Sequence, residues 1–166
     1  MLQKQILQKV WSKKPFNTKP KVYLAGPMEF VTDHGTGWRN EIEIKLLKNG
    51  FEVFNPANEV KLFKELKKSK ELQADIDGQH IQFTKIIRDD LKEVITSDVI
   101  LCRWFEGVFS AGTSGELTVA KLFNIPVLII CDDVKTLPKW ILGCVTKTDT
   151  SFKNVVKQLR SIIGDK

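Results

Sequence analysis

The chain has 166 residues, 42% hydrophobic and 28% charged, which suits one soluble globular domain with a full core. No apolar run approaches the roughly 20 residues that span a bilayer. Residues 1–21 lack the apolar core and cleavage site of a secretory signal, so a cytoplasmic protein without a membrane anchor is expected.

The net charge of +6 is unevenly placed. Lys4, Lys9, Lys13, Lys14, Lys19 and Lys21 lie in residues 1–21 with no acid among them, and they account for all of it. The chain thus divides into a basic N-terminal extension, 1–20, and one domain, 21–166. The arm reads as a solvated tail with Ile6, Leu7 and Val10 resting on the body, or as a contact for nucleic acid or an acidic partner. Cys102 and Cys131 sit inside apolar strand patterns, where cysteine behaves as a small hydrophobe. With Cys144 they form an odd set without close spacing, which argues against a disulfide framework or a zinc site and for a reducing compartment.

In chain order, residues 21–26 predict a first strand ending at a glycine. Residues 27–36 form a loop, and 37–49 a helix with Ile42, Ile44, Leu46 and Leu47 as apolar positions, stopped by Gly50. A second strand over 51–55 ends at Pro56. Residues 58–72 predict an exposed, lysine-rich helix, and 73–80 a mobile connection. A helix over 81–96 presents Ile86, Ile87, Leu91, Val94 and Ile95 on one face. A third strand (99–104), a glycine loop, a helix (115–123) and a fourth strand (127–131) follow. Residues 139–142 suggest a short helical turn and 144–147 a fifth strand. Ser151 is placed to cap a last helix over 152–163. Alternating strands and helices, with strands apolar on both faces, mean an α/β domain with a parallel sheet and right-handed crossovers.

In such a sheet, loops after the carboxyl ends of the strands build the ligand site. Phe109-Ser-Ala-Gly-Thr-Ser-Gly-Glu116 is such a loop running into a helix. Glu116, held ionised by a helix start, suits a nucleophile or a cation stabiliser. The same residues read as a capping box, with Thr113 as cap and Glu116 reaching back. Gly112, Thr113 and Ser110 suit a phosphate at a helix start or merely a tight turn. Neither a Walker loop nor the dinucleotide fingerprint is present. A second glycine turn, Ala25-Gly26-Pro27-Met28, faces the first across the crevice. Tyr23 lies near the carboxyl end of the first strand, as a core tyrosine or a site residue. Trp38 suits stacking on a base and Arg39 contact with an anion, with packing and surface roles as alternatives. Asp90 shares the inward face of its helix and is a site candidate. Asp89 reads as solvated, and Asp98, at the far end of the sheet, as structural. His34 and His80 are isolated, so no catalytic triad or metal cluster can be assembled. Chemistry run by carboxylates is what the residues leave.

Three segments resemble a known family. Val22-Tyr-Leu-Ala-Gly-Pro-Met28, Asp90-Leu-Lys-Glu-Val-Ile-Thr-Ser-Asp98-Val-Ile and Gly112-Thr-Ser-Gly-Glu116-Leu…Ala120 are similar, in order and placement, to the nucleoside 2-deoxyribosyltransferases. They also resemble that family's hydrolase relatives, the 2'-deoxynucleoside 5'-monophosphate N-hydrolases. The resemblance covers residues 21–163 or so. It implies a flavodoxin-like three-layer sandwich with a five-stranded parallel sheet. It implies a homo-oligomer with sites near subunit contacts and a nucleoside or nucleotide substrate; from the residues themselves, neither metal nor cofactor is expected.

It further implies an enzyme that cleaves the N-glycosidic bond through a glycosyl-glutamate, passing deoxyribose to another base or to water. Glu116 matches the nucleophile, Asp90 the acid that supports sugar and proton transfer, and Tyr23 the tyrosine that orients the nucleophile. Gly26, Pro27, Met28, Gly112 and Thr113 belong to the matching substrate loops. Transferases often carry a base-contacting aspartate six residues before the nucleophile. Here that position is Ser110, where the monophosphate hydrolases place a phosphate-binding serine. Residues 27–38, however, do not resemble the hydrolases' phosphate loop. The alternatives are a hydrolase of nucleotides, including a dinucleotide cofactor, and a non-catalytic nucleotide sensor.

Overall fold

The computed structural model describes residues 19–59, 73–76 and 79–164. The basic arm over 1–18 and nearly all of the helix expected over 58–72 lie outside the described residues. The elements in chain order begin with β1 (Lys21–Ala25), α1 (Thr36–Lys48) and β2 (Glu52–Phe54), followed by a 3-10 turn (Pro56–Glu59). Next come β3 (Gln73–Ile76), β4 (Gln79–Gln82), α2 (Phe83–Thr96), β5 (Val99–Arg103) and α3 (Ala111–Leu122). The chain closes with β6 (Val127–Ile130), α4 (Lys139–Cys144), β7 (Lys147–Asp149) and α5 (Val155–Ile163).

Five strands form one sheet in the order β2-β1-β5-β6-β7, and every neighbouring pair is parallel. Counting only those strands, the order is 2-1-3-4-5, the flavodoxin-like arrangement. Its apolar strands explain the layers. Successive side chains point to opposite faces, so Tyr23, Ile100, Cys102 and Ile129 pack on one side with Val94 of α2, Leu117 of α3 and Ile141 of α4. Val22, Leu24, Leu101 and Leu128 pack on the other with Ile42 and Leu46 of α1 and Leu159 of α5. The strand residues of β1 and β6 are nearly all fully buried, which is why they read as continuous apolar runs.

Four local expectations are corrected. The connection expected over 73–80 contains an antiparallel hairpin, with Ile76 opposite Gln79. Helix α3 begins at Ala111, one turn before the expected 115, because Ser110 caps it by accepting the Thr113 N–H at 3.2 Å. The fifth strand is Lys147–Asp149 rather than 144–147, because Cys144 is held on the buried side of α4. The last helix begins at Val155, and Ser151 is not its cap. Tertiary contacts claim the residues between: Phe152 stacks on Trp38 with ring centres 5.7 Å apart, and its carbonyl accepts Lys45 Nζ at 2.9 Å.

Candidate active site

The sheet order reverses between β1 and β5, and at that switch point the loops leaving the two carboxyl ends part to form a crevice. The chain turns out of β1 at Gly26, where no side chain fits. A Cβ there would stand 3.0 Å from the Arg103 carbonyl and 3.1 Å from the Trp38 ring. The loop enters α1 through Gly35, whose φ of +69° is left-handed backbone that favours glycine. Asp33 fixes that entry: its carboxylate accepts the Gly35 N–H at 2.9 Å and the Gly37 N–H at 2.8 Å. The Gly37 N–H, with the Gly35 N–H behind it, holds the Asp33 carboxyl below its ordinary pKa.

Across the crevice, Ser110 opens α3. Its hydroxyl oxygen accepts both the Thr113 N–H and, at 2.9 Å, the Thr113 hydroxyl. The capping box is thereby displaced: the cap is Ser110, and Glu116 is freed from reaching back. The Glu116 side chain turns to the sheet, where its Oε1 accepts the Tyr23 hydroxyl at 2.8 Å. Its Oε2 is enclosed and has no hydrogen-bond partner. The residue as a whole is only partly buried, but the enclosed oxygen sets its electrostatics. Burial raises the Glu116 pKa, while the Tyr23 hydrogen bond and the Arg39 charge pull it back. This corrects the expectation that a helix start alone would hold the acid ionised; desolvation dominates.

Tyr23 is itself fully buried and stacked on Phe54 at 5.4 Å. Burial, then the negative charges of Glu116 and Asp90, push its phenol well above the usual range. It therefore stays protonated and serves as a fixed donor. The buried Cys102 thiol is pushed up by the same desolvation and remains neutral.

A cavity of about 300 Å³ occupies the crevice. Gly26 and Met28 line it from β1, Asp90 from α2, and Ser110, Gly112, Thr113 and Glu116 from α3. Three expected residues stand elsewhere or act differently. Pro27 does not line the cavity. Trp38 lies behind the wall in its stack on Phe152, with its indole N–H buried and unpartnered. Arg39 reaches the wall but is 1% exposed, and its guanidinium donates to the carbonyls of Leu24, Gly35 and Gly26. Asp89 is exposed, as expected, and Asp98 accepts the Lys21 N–H at 2.6 Å at the opposite end of the sheet.

Sequence reasoning missed six lining residues: Glu29, Pro56, Phe83, Ile87, Leu91 and Ala111. Ile87 was legible only as a core position of α2, yet it is 46% exposed at the cavity. Glu29 adjoins the glycine turn and its position in the loop was the available signal. Gly112 has a further meaning. A Cβ there would meet nothing within 4 Å, so packing does not exclude a side chain. Its bareness leaves cavity volume open. Among the described residues no group of three or more His, Cys, Asp or Glu is arranged to hold a metal ion. Among them, too, no helix is long and apolar enough to cross a membrane.

Known structures share this architecture. A conserved protein from Enterococcus faecalis V583 superposes with a TM-score of 0.61 at 15% identity, covering 87% of this chain and 99% of its own. A 2-deoxyribosyltransferase from Bacillus psychrosaccharolyticus gives 0.62 at 19% identity, covering 84% and 95%. A CMP N-glycosidase from Clostridium botulinum gives 0.50 at 19%, covering 86% and 98%. At such identities the likeness establishes the fold. No curated protein sequence matches the chain. The family model for nucleoside 2-deoxyribosyltransferase matches residues 22–156, a span that runs from β1 into α5 and takes in Tyr23, Asp90 and Glu116. The chain belongs to the nucleoside 2-deoxyribosyltransferase family.

Proposed function

We propose that this protein cleaves the N-glycosidic bond of 2'-deoxynucleosides, with Glu116 as nucleophile. The observation that carries the reading is the Glu116 carboxylate: one oxygen fixed by Tyr23, the other enclosed and unpartnered, on a residue that lines the cavity. A desolvated oxygen held without a partner is costly to keep, on the order of 1–3 kcal/mol, unless a ligand uses it.

Without a 2'-hydroxyl the C1'–N bond ionises readily, through an oxocarbenium-like state. Glu116 Oε2 donates an electron pair to C1' from the face opposite the base, forming a glycosyl ester as in retaining glycoside hydrolysis. The C1'–N electron pair leaves with the base, and Asp90 at the cavity wall supplies a proton to a ring nitrogen. A second base, or water, then attacks C1', its proton passes back to Asp90, and the C1'–O bond electrons return to Glu116 to regenerate the carboxylate. Tyr23 keeps Oε1 occupied so that Oε2 is the reacting atom.

The cavity's size favours a nucleoside over a dinucleotide, since ligand pockets run from roughly 300 to 1,000 Å³ and this one is about 300 Å³. Its charge favours an unphosphorylated sugar: Glu29 and Glu116 line it, and Arg39 is committed to carbonyls. A second reading, cleavage of 5'-monophosphates, is supported by Ser110 at the start of α3, where helix amides suit a phosphate. Incubation with paired deoxynucleosides and deoxynucleotides, with and without a free acceptor base, tests both. The expected product is free base from the nucleosides, with a new nucleoside when acceptor is present. Base from the monophosphates alone selects the second reading, and ligand binding with no base released from any substrate sinks both.

A further inference from the structure

Arg39 was read as suited to an anion, with a packing or surface role as the alternative. Its surroundings describe another task. The guanidinium is 1% exposed, lies over the Trp38 ring at 4.7 Å, and spends its donors inside the protein. Nε donates to Leu24 O at 3.2 Å, Nη2 to Gly26 O at 2.6 Å and Nη1 to Gly35 O at 2.9 Å. Leu24 and Gly26 stand at the end of β1, and Gly35 at the start of α1. One planar fork therefore ties both ends of the loop that carries Met28 and Glu29 to the cavity.

The two glycines are the space cut for that fork. A Cβ on Gly35 would lie 2.2 Å from Nη1, and one on Gly26 3.2 Å from Nη2. Lysine, a point charge on a flexible stem, cannot make three divergent bonds of this kind. The charge also has a counterpart. Groups that face the guanidinium are Glu116 from α3, Tyr23 from β1, Cys102 from β5 and Asp33 from the loop. Tyr23 and Cys102 stay protonated, so Glu116 is the enclosed carboxyl group there and Asp33 the more exposed one. Asp90 adds negative charge at Tyr23.

We infer that Arg39 is a positioning residue rather than a substrate ligand: its fork closes the base of the Gly26–Gly35 loop and holds a buried positive charge at the same cavity wall as Glu116. Its catalytic consequence rests on Glu116 being the nucleophile; the structural claim does not. The test therefore reads Glu116 directly, by carbon NMR titration of glutamate-labelled full-length protein, assigned by the signal lost in Glu116→Gln. Arg39→Gln should move the Glu116 titration upward by at least about one pH unit. Arg39→Lys should leave it near its starting position while raising KM for a deoxynucleoside several-fold, because the charge stays and the fork is lost. The acid limb of kcat/KM should follow the titration in each variant.

A Glu116 titration unmoved in Arg39→Gln overturns the charge role, and an unchanged KM in Arg39→Lys overturns the clamp. If Arg39→Gln does not fold, adding Glu116→Gln should restore folding by removing the stranded carboxylate; a double variant that stays unfolded counts against the pairing. Full turnover in Glu116→Ala, with the titration moving as stated, would sink the proposed reaction and leave the Arg39 inference standing.

Discussion

The same strands, β1 and β5, end in opposite ways at the two edges of the sheet. At the amino edge, charges are matched and partly wet. Asp98 accepts the Lys21 N–H at 2.6 Å, and the Lys21 ammonium pairs with Glu93 and reaches Glu52 at 4.0 Å. At the carboxyl edge, Glu116 and Arg39 are drawn into low dielectric, one carboxylate oxygen has no partner, and two glycines replace side chains that would clash. The first edge is built as proteins secure strand ends. The second accepts local cost on the side where a switch-point sheet binds ligands, which is what pre-organisation for chemistry requires.

Substitutions at the two edges should therefore separate activity from stability. The largest effect is expected at Glu116: Glu116→Gln should lower base release on the order of a thousandfold or more while folding is retained. Its pH dependence has a definite sign. Burial raises the folded pKa above the unfolded one, so the native state binds the proton more tightly and stability falls as pH rises from the ordinary carboxylate range through the raised value. Thermal melts across that range should show the decline in the native sequence and a flatter curve in Glu116→Gln.

Asp90→Asn should come next, with kcat reduced about 10²–10⁴-fold and little change in melting temperature. Loss of folding instead would put Asp90 among the structural acids and weaken the contrast.

Tyr23→Phe keeps the stack on Phe54 and deletes the 2.8 Å hydrogen bond. Since that bond favours ionised Glu116, its loss should shift the acid limb of kcat/KM to higher pH and cost about ten- to a hundredfold at neutral pH. An acid limb at its original pH would separate Tyr23 from the nucleophile.

Gly112→Ala tests whether bareness serves the cavity. The helix should be unharmed, or stabilised by up to about 1 kcal/mol, while KM rises. At the amino edge, Asp98→Ala should cost about 1–2 kcal/mol in denaturant melts and leave kcat/KM within about twofold. A large loss of activity there would erase the distinction between the edges.

Much of this was legible in sequence because strands covered on both faces announce themselves: Val22 to Ala25, Val99 to Cys102 and Val127 to Ile130 are apolar runs without alternation, and they are the buried centre of the sheet. Tyr23, Asp90 and Glu116 could be brought to one crevice because the sheet's handedness and order fix which loops meet. The hairpin was missed because Gln73–Ile76 and Gln79–Gln82 are polar, although Asp77-Gly78 between them is a strong two-residue turn signal. The start of α3 was missed because Gly112 and Gly115 are poor helix formers, and Ser110 and Thr113 compete as caps; the cap at Ser110 decided it. Arg39 stayed open between anion contact and packing because only the folded glycine turns supply the carbonyls that bury it.

The central claim is that Glu116 Oε2 bonds covalently to the sugar. It is tested most directly by intact-protein and peptide mass spectrometry after incubation with a 2'-fluorinated deoxynucleoside, whose electron-poor sugar slows breakdown of the ester. The account predicts an added mass of one fluorinated sugar, confined to the peptide carrying Glu116 and absent in Glu116→Gln. Release of base with no adduct, or an adduct on another residue, would contradict it.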